Sequence, residues 1–229
     1  MSGFRAYRAL VYWAWVRELK RKDTLIAMGM VSIITLFIFS MAIPPSPEIL
    51  TDTRGGILWV TFLLAGTIGI DRAFRGDGEG PLLEGLLASP VGRATIYYAR
   101  LTATLIFVLA TEAVTLALFL VLFDQALTGR GLAVVTAVAV GATLGFLALG
   151  TVLSAMTWSL RGGDAILRIL LFPMVIPVLG AAVRLTNGAF AGKPLDVPSL
   201  AVIAAFDLVF LGAGQLLFEQ VVRNVEPAP

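Results

Sequence analysis

The run TLIAMGMVSIITLFIFSMAI, residues 24–43, is twenty residues long and carries no charge. A helix needs about 20 mainly apolar residues to cross the roughly 30 Å hydrocarbon core of a bilayer, so the run predicts a membrane-spanning helix. Its apolar core exceeds the roughly 7–15 residues usual in a secretory signal, and no small-residue cleavage motif follows it. We therefore expect a retained span, in an all-α, polytopic membrane protein.

Five further, largely apolar runs bring the number of predicted transmembrane helices to six. They lie at 55–72, 101–123, 131–160, 164–183 and 199–222. The fifth span contains Pro173 and Pro177, and because proline removes a backbone donor, we expect this helix to be bent or broken. Such a helix either lines a path or is merely kinked where it packs. Residues 1–229 are predicted to form one transmembrane domain.

The composition excludes several kinds of chemistry. The 229 residues are 58% hydrophobic and 14% charged, and they include no cysteine and no histidine. Thiolate metal sites, cysteine nucleophiles and imidazole bases or ligands are therefore excluded. No Walker A pattern for nucleotide binding occurs either. We predict no catalytic residue, no metal site and no nucleic-acid partner for this chain; its surroundings are the lipid bilayer.

The distribution of Lys and Arg predicts the orientation of the spans. Thirteen of them fall before span one, between spans two and three, between four and five, after six, or in the adjoining ends of these spans. The other side holds four, which are Arg54, Arg130, Arg184 and Lys193. Because Lys and Arg near span ends concentrate on the cytoplasmic side, both termini and the loop 73–100 are predicted to be cytoplasmic.

The first 23 residues are too rich in charge to cross a membrane. Phe4, Tyr7, Val11 and Trp15 fall on one helical stripe among arginines and lysines. Aromatic and basic residues together suit the headgroup region, so segment 1–23 is predicted to form an interfacial helix on the cytoplasmic surface. A basic retention signal without a mechanical role is the alternative.

The loop 73–100 contains the most glycine-rich stretch of the chain, GDGEG at 76–80. It matches neither a phosphate-binding nor an EF-hand pattern, and Asp77 and Glu79 would repel a phosphate. In the following LLEGLL, residues 82–87, the leucines form one apolar stripe of a short helix that Pro90 ends. We predict a short cytoplasmic coupling helix between spans two and three. Its leucines lie against the membrane or the chain's own spans, or in a groove of a cytoplasmic partner.

Two acidic residues lie inside predicted spans: Glu112 in the third and Asp207 in the sixth. An ionised carboxylate there costs about 2.5–3.5 kcal/mol on insertion scales, and such residues usually face the bundle interior or a wet cavity. Each is therefore a candidate for a polar or substrate path, although a neutral acid bonded to a neighbouring Thr or Trp is an equal alternative. In span four, Gly141 and Gly145 allow close helix packing, within one subunit or between two.

Taken together, these features are similar to the membrane subunits of type-2 exporters of the ATP-binding-cassette (ABC) class. More closely, nearly the whole chain resembles the haem exporter protein B family (CcmB), the permease-like subunit of bacterial cytochrome c maturation. The resemblance rests on two blocks of residues. The first comprises GILWV at 56–60, Asp71-Arg72, Phe74-Arg75, Asp77, Glu79, Leu83-Glu84, Leu86-Leu87 and Ser89-Pro90; the second comprises Arg161-Gly162-Gly163, Leu171-Phe172-Pro173 and IPVL at 176–179. The family usually has Glu-Asp-Gly where this chain has Glu79-Gly80-Pro81.

The resemblance implies a non-catalytic subunit of the bacterial cytoplasmic (inner) membrane, acting as a homodimer with ABC ATPase subunits. ATP and Mg would bind to the ATPase, this chain would hold no cofactor, and haem would be a possible substrate. Further implied partners are a haem-handling membrane protein, a small membrane subunit and a haem chaperone. The chain would couple ATP hydrolysis to haem export or to release of the loaded chaperone. The implied ATPase-docking residues are Arg75, Asp77, Glu79, Leu82, Leu83, Glu84, Leu86, Leu87 and Pro90, and the candidate path residues are Trp59, Glu112, Pro173, Pro177 and Asp207.

Three other functions stay open at the level of the sequence. The chain could be a type-2 exporter permease for lipid, drug or polysaccharide. It could be an assembly scaffold that transports nothing. It could also be an intramembrane enzyme, which would have to rely on Glu112 and Asp207.

Overall fold

Seven helices make up nearly all of the described protein, a computed structural model that covers residues 3–20, 22–43, 47–75, 91–157 and 163–225. They are α1 (Gly3–Lys20), α2 (Lys22–Ala42), α3 (Pro47–Arg75), α4 (Arg93–Leu122), α5 (Gly129–Thr157), α6 (Gly163–Phe190) and α7 (Val197–Val225). No strand occurs in these ranges. The predicted all-α class is confirmed.

Six of these helices, α2 to α7, are long and apolar enough to cross a membrane, which confirms the predicted number of spans. The N-terminal helix α1 is not among them. A helix satisfies all of its internal backbone hydrogen bonds within one segment, which lipid requires of a spanning structure. Several helices extend beyond the predicted apolar runs; α3, for example, begins at Pro47 and ends at Arg75.

Helix α5 lies at the centre of the bundle and contacts α3, α4, α6 and α7. Its segment from Leu147 to Ser154 is buried throughout, and its small residues let neighbouring helices approach closely. A Cβ atom added at Gly150, for example, would overlap the side chain of Ile70 on α3. By contrast, α2 and α7 are mostly exposed and present apolar faces to the surroundings.

Helix α6 continues without interruption through Pro173 and Pro177, so the expected break is absent. Both proline side chains are exposed, whereas Leu171, Val175 and Val178 on the opposite face are buried. The prolines therefore lie on the outer face of the helix. Their missing amide hydrogens affect the solvent or lipid side of α6 and leave its packed side intact.

Glycines determine two of the close helix contacts. The amide nitrogen of Gly55 on α3 donates a hydrogen bond to Asn187 Oδ1 on α6 at 2.8 Å. On α5, a Cβ at Gly141 would lie 3.1 Å from Ile203 Cγ2, and one at Gly145 would overlap Asp207 on α7. The spaced glycines of α5 therefore pack against another helix of the same chain, which answers the question that the sequence left open.

Helix α1 lies against α4. Tyr7 Oη and Thr102 Oγ1 share a hydrogen bond of 2.8 Å between the two helices. Tyr12 and Trp13 of α1 are exposed. Exposed aromatic residues on a basic helix suit the headgroup region of a membrane.

Two adjacent glycines of α3 allow a matched test of the α3–α6 contact. A Cβ at Gly55 would lie 2.6 Å from Asn187 Oδ1 and 2.9 Å from the Val183 carbonyl oxygen, whereas one at Gly56 meets nothing within 4 Å. We expect Gly55→Ala to lower the free energy of unfolding by about 1–3 kcal/mol through overpacking. Gly56→Ala should leave it unchanged or raise it by up to about 1 kcal/mol, because alanine favours the helix. Denaturant unfolding in detergent measures both, and equal stabilities would contradict the contact.

Candidate functional site

Polar side chains of the bundle interior meet where α3, α4, α5 and α6 come together. Glu112 of α4 is 5% exposed, and its Oε1 accepts a hydrogen bond from Thr143 Oγ1 of α5 at 2.7 Å. Within the described part of the chain, Glu112 Oε2 is buried and has no hydrogen-bond partner. A buried polar atom without a partner is unfavourable, so Oε2 is an atom that a water molecule or another donor can satisfy.

A small cavity lies beside the Glu112 carboxyl. Its volume is about 10 Å³, near the roughly 10–15 Å³ that one water molecule requires. Apolar and aromatic side chains form most of its wall. Its polar groups belong to Glu112, Thr143 and the indole of Trp59. The cavity therefore suits a water molecule or a proton, and it is too small for an organic substrate.

Trp59 forms the α3 side of this cavity and joins α3 to α6. Its Nε1 donates a hydrogen bond to the fully buried Thr186 Oγ1 at 2.9 Å. Its ring meets Phe62 edge-to-face, with 5.5 Å between the ring centroids. With its polar nitrogen satisfied and its ring packed, the indole is held in one orientation. The structure therefore brings two of the predicted path residues, Trp59 and Glu112, to one cavity.

Asp207 does not belong to this cluster. It is a half-buried residue of α7 whose side chain lies against Gly145 of α5. Thr143 and Gly145 are two positions apart, so they point to opposite sides of α5 at about 100° per residue. Glu112 and Asp207 thus lie on different sides of the central helix and form no carboxylate pair.

The remaining predicted path residues, Pro173 and Pro177, face outward, while Val175 and Val178 of the same helix line the cavity. The structure therefore does not bring these prolines to Glu112. Among the described residues, no three His, Cys, Asp or Glu side chains come close enough together to hold a metal ion.

Eight of the nine predicted docking residues lie in 76–90, outside the described residues. The ninth, Arg75, is the last residue of α3, and α4 begins at Arg93. Because α3 and α4 contact each other and α1 contacts α4 near Thr102, both ends of the segment are at the end of the bundle where α1 lies.

A second polar cluster lies at the opposite end of the bundle. It was not predicted from the sequence, where Arg54 counted only as a positive charge. Arg54 is 8% exposed, and its Nη1 donates to Gln125 Oε1 at 3.1 Å. Its guanidinium carbon lies 4.9 Å from the centroid of the Phe190 ring, a cation–π distance. Because its partners are far away in the chain, the sequence alone gave no sign that this arginine joins α3 to α6.

Comparison with known proteins gives a consistent set of relatives. The chain matches the family model described as CcmB protein over residues 15–224. It is 29% identical to Heme exporter protein B of Pseudomonas aeruginosa over 166 residues, which cover 72% of each chain. The protein of the same name from Escherichia coli strain K12 is 29% identical over 164 residues, 72% of this chain and 74% of the relative. That of Rhodobacter capsulatus is 29% identical over 172 residues, 75% of this chain and 77% of the relative.

Substitutions at Thr143 test whether its hydroxyl group stabilises the Glu112 carboxyl. Thr143→Val removes the donor while keeping the shape, and we expect it to lower the free energy of unfolding by about 1–3 kcal/mol. Thr143→Ser keeps the hydroxyl group and should lower the free energy of unfolding by less than Thr143→Val does. Adding Glu112→Leu to Thr143→Val should recover part of the loss, because replacing both partners by apolar groups leaves no orphaned donor or acceptor.

Denaturant unfolding of the four proteins, wild type included, measures these differences. If Thr143→Val and Thr143→Ser were equally stable, the hydrogen bond would contribute nothing and the description of the site would need to change.

Proposed function

The chain belongs to the CcmB protein family, and from that premise we propose that it is the membrane-embedded, non-catalytic subunit of a haem export system for cytochrome c maturation. The observation that carries the proposal is the family match over residues 15–224, supported by relatives named Heme exporter protein B. The six membrane helices supply the spanning part that such a subunit requires. In this proposal the protein lies in the bacterial inner membrane with both termini in the cytoplasm.

The energy source in this proposal is a partner ABC ATPase, which binds ATP and Mg. Two copies of the chain bind two ATPases, and a haem-handling protein, a small membrane subunit and a haem chaperone complete the assembly. Segment 76–90 docks in a groove of the ATPase through its leucine face, with Arg75 and Glu84 among the polar contacts. The result of ATP hydrolysis is export of haem or release of the loaded chaperone.

The helices next to the docking segment explain how a movement there could reach the bundle interior. Arg75 ends α3 and Arg93 begins α4. Trp59 lies about 24 Å along α3 from Arg75, and Glu112 lies about 29 Å along α4 from Arg93, at roughly 1.5 Å per residue. Both side chains hydrogen-bond to a different helix, Trp59 to Thr186 of α6 and Glu112 to Thr143 of α5. A displacement of the docking segment thus acts on α3 and α4 together, and through them on the cavity.

The size of that cavity supports, in this proposal, a role for Glu112 and Trp59 in coupling rather than in substrate contact. A volume of about 10 Å³ cannot contain a tetrapyrrole, so haem passes, in this proposal, along another surface of the subunit. The mostly exposed apolar faces of α2 and α7 are available for partners or for lipid.

The docking proposal is tested by Leu83→Ala combined with Glu84→Ala. We expect the ATPase to be lost from the purified complex and the yield of c-type cytochromes to fall by at least about tenfold, since both apolar and polar contacts are removed. The matched control is Leu132→Ala with Asp124→Asn, which changes an exposed leucine and an exposed acid at the other end of the bundle. ATPase binding and cytochrome yield that both survive the docking change would refute the assignment.

Transport is distinguished from scaffolding by a partner ATPase that binds ATP but cannot hydrolyse it. Haem export predicts that assembly of c-type cytochromes stops although the complex still forms. Normal assembly would instead support a scaffold. Purification of the intact complex, identification of its ATPase and a scan for haem absorbance address the remaining rival, since an exporter of lipid, drug or polysaccharide would carry no haem.

A further inference from the structure

A second pocket lies at the end of the bundle opposite to the docking segment. It is formed by the start of α5, the end of α6 and the loop 191–196 that leads into α7. Its volume is about 50 Å³, well below the roughly 300–1,000 Å³ of pockets that enclose drug-sized ligands. A phosphate or carboxylate group fits such a space, whereas a tetrapyrrole ring does not.

Three cationic side chains line this pocket, which we call the basic pocket: Arg130, Arg184 and Lys193. They come from α5, α6 and the following loop, and all three are exposed. Only four Lys and Arg residues of the whole chain were assigned to this side by the sequence. Three of the four therefore converge on one small pocket.

The acidic residue that lines the basic pocket, Asp196, does not cancel this charge. Its Oδ2 accepts a hydrogen bond from Ser199 Oγ in the first turn of α7. Arg184 donates through Nε to the Gly180 carbonyl oxygen one turn earlier, at 3.4 Å, which leaves its terminal nitrogens available to a ligand. With three cations and one acid, the pocket has a net positive charge and attracts an oxyanion.

The cations are attached to ordered helix ends. Helix α6 ends at Phe190, and Gly192 in the turn that follows has a φ of 65°, a left-handed conformation that glycine adopts at low cost. The amide of Lys193 donates to the Gly188 carbonyl oxygen at 2.9 Å, which fixes the backbone where the lysine begins. Thr128 Oγ1 accepts from the amide of Gly131 at 3.1 Å and caps the start of α5 beside Arg130.

The position along the helices points to the class of ligand. The apolar windows of α5, α6 and α7 start or end at Gly129, Phe190 and Val197, so the pocket lies where these helices leave the hydrocarbon. Phospholipid phosphates lie at this level. The buried Leu185 and half-buried Val134 form an apolar floor beneath the cations, as the contact with a lipid molecule requires.

We propose that the basic pocket binds the phosphate of an anionic phospholipid from the leaflet opposite to the termini. In other proteins, basic pockets between membrane helices bind anionic headgroups on the cytoplasmic or matrix side. The same recognition can act in the opposite leaflet, because the planar guanidinium groups of arginine match phosphate oxygens. The bound lipid connects α5, α6 and the loop before α7. This inference goes beyond the proposed function and does not depend on it, because the lipid is a bound component and not a transported substrate.

The test compares the full-length wild type with Arg130→Gln/Arg184→Gln/Lys193→Gln, each in nanodiscs of phosphatidylcholine with and without phosphatidylglycerol. We expect phosphatidylglycerol to raise the thermal unfolding midpoint of the wild type and to be retained in native mass spectrometry. The triple variant should lose the increase and bind the lipid at least about tenfold more weakly. Lys193→Gln alone changes an exposed loop side chain. It should reduce the binding of phosphatidylglycerol only in part, and the protein should stay folded. Asp124→Asn changes the charge of an exposed side chain at the same end of the bundle that does not line the basic pocket; it is the matched control and should lose none of the stabilisation by phosphatidylglycerol.

Three results would overturn the inference. One is equal retention of phosphatidylglycerol by the wild type and the triple variant. Another is an equal stabilisation of the detergent-solubilised wild type by inorganic phosphate, which would assign the pocket to a soluble anion. The third is loss of haem from the complex of the triple variant with unchanged lipid binding, which would assign the cations to the substrate.

Discussion

A polar group inside a bilayer has no water to pair with, and the interior of this protein follows from that constraint. The backbone satisfies it by forming helices. Buried threonines satisfy it by donating to carbonyl oxygens of the preceding turn, as Thr61 does to Ile57 and Thr151 to Leu147. Two other polar groups join different helices: the Trp59 indole joins α3 to α6, and the Glu112 carboxyl joins α4 to α5. Each of these hydrogen bonds therefore joins two helices and at the same time satisfies a buried polar group. Glu112 Oε2 is a buried atom without a hydrogen-bond partner in the described part of the protein.

Helices α3 and α4 connect segment 76–90 to the small cavity in the bundle interior. Each begins or ends next to segment 76–90, and each carries one of the hydrogen-bonded side chains that line the small cavity. A close-packed interior transmits displacement rather than absorbing it, and Gly55 and Gly150 bring α3 into near-backbone contact with α6 and α5. Helices that are so closely packed move together, so a displacement at one end of α3 or α4 reaches the cavity.

The sequence predicted the fold class and the six spans because both depend on local composition, which an apolar run of twenty residues expresses directly. It was less informative about where the helices end, since backbone hydrogen bonding continues past the apolar run; α3 extends to Pro47 and Arg75 for this reason. It allowed for either a bend or a break in α6; the helix runs through both prolines without a break, and both lie on its outer face. Which side chains meet could not be predicted, because Glu112 pairs with a residue 31 positions away and Trp59 with one 127 positions away. A single sequence does not indicate which distant residues come into contact. The cavity and the basic pocket therefore became visible only in the tertiary structure.

Four Lys and Arg residues are predicted to lie on the side opposite to the termini, and the structure shows what surrounds each of them. Positive charges favour the cytoplasmic side, so a cation on the other side opposes the preferred insertion unless something compensates for it. Arg54 stacks on Phe190 and donates to Gln125. The other three cations that the sequence predicts for this side all line one pocket. The anionic lipid proposed for this pocket would offset the same positive charge that insertion disfavours on that side.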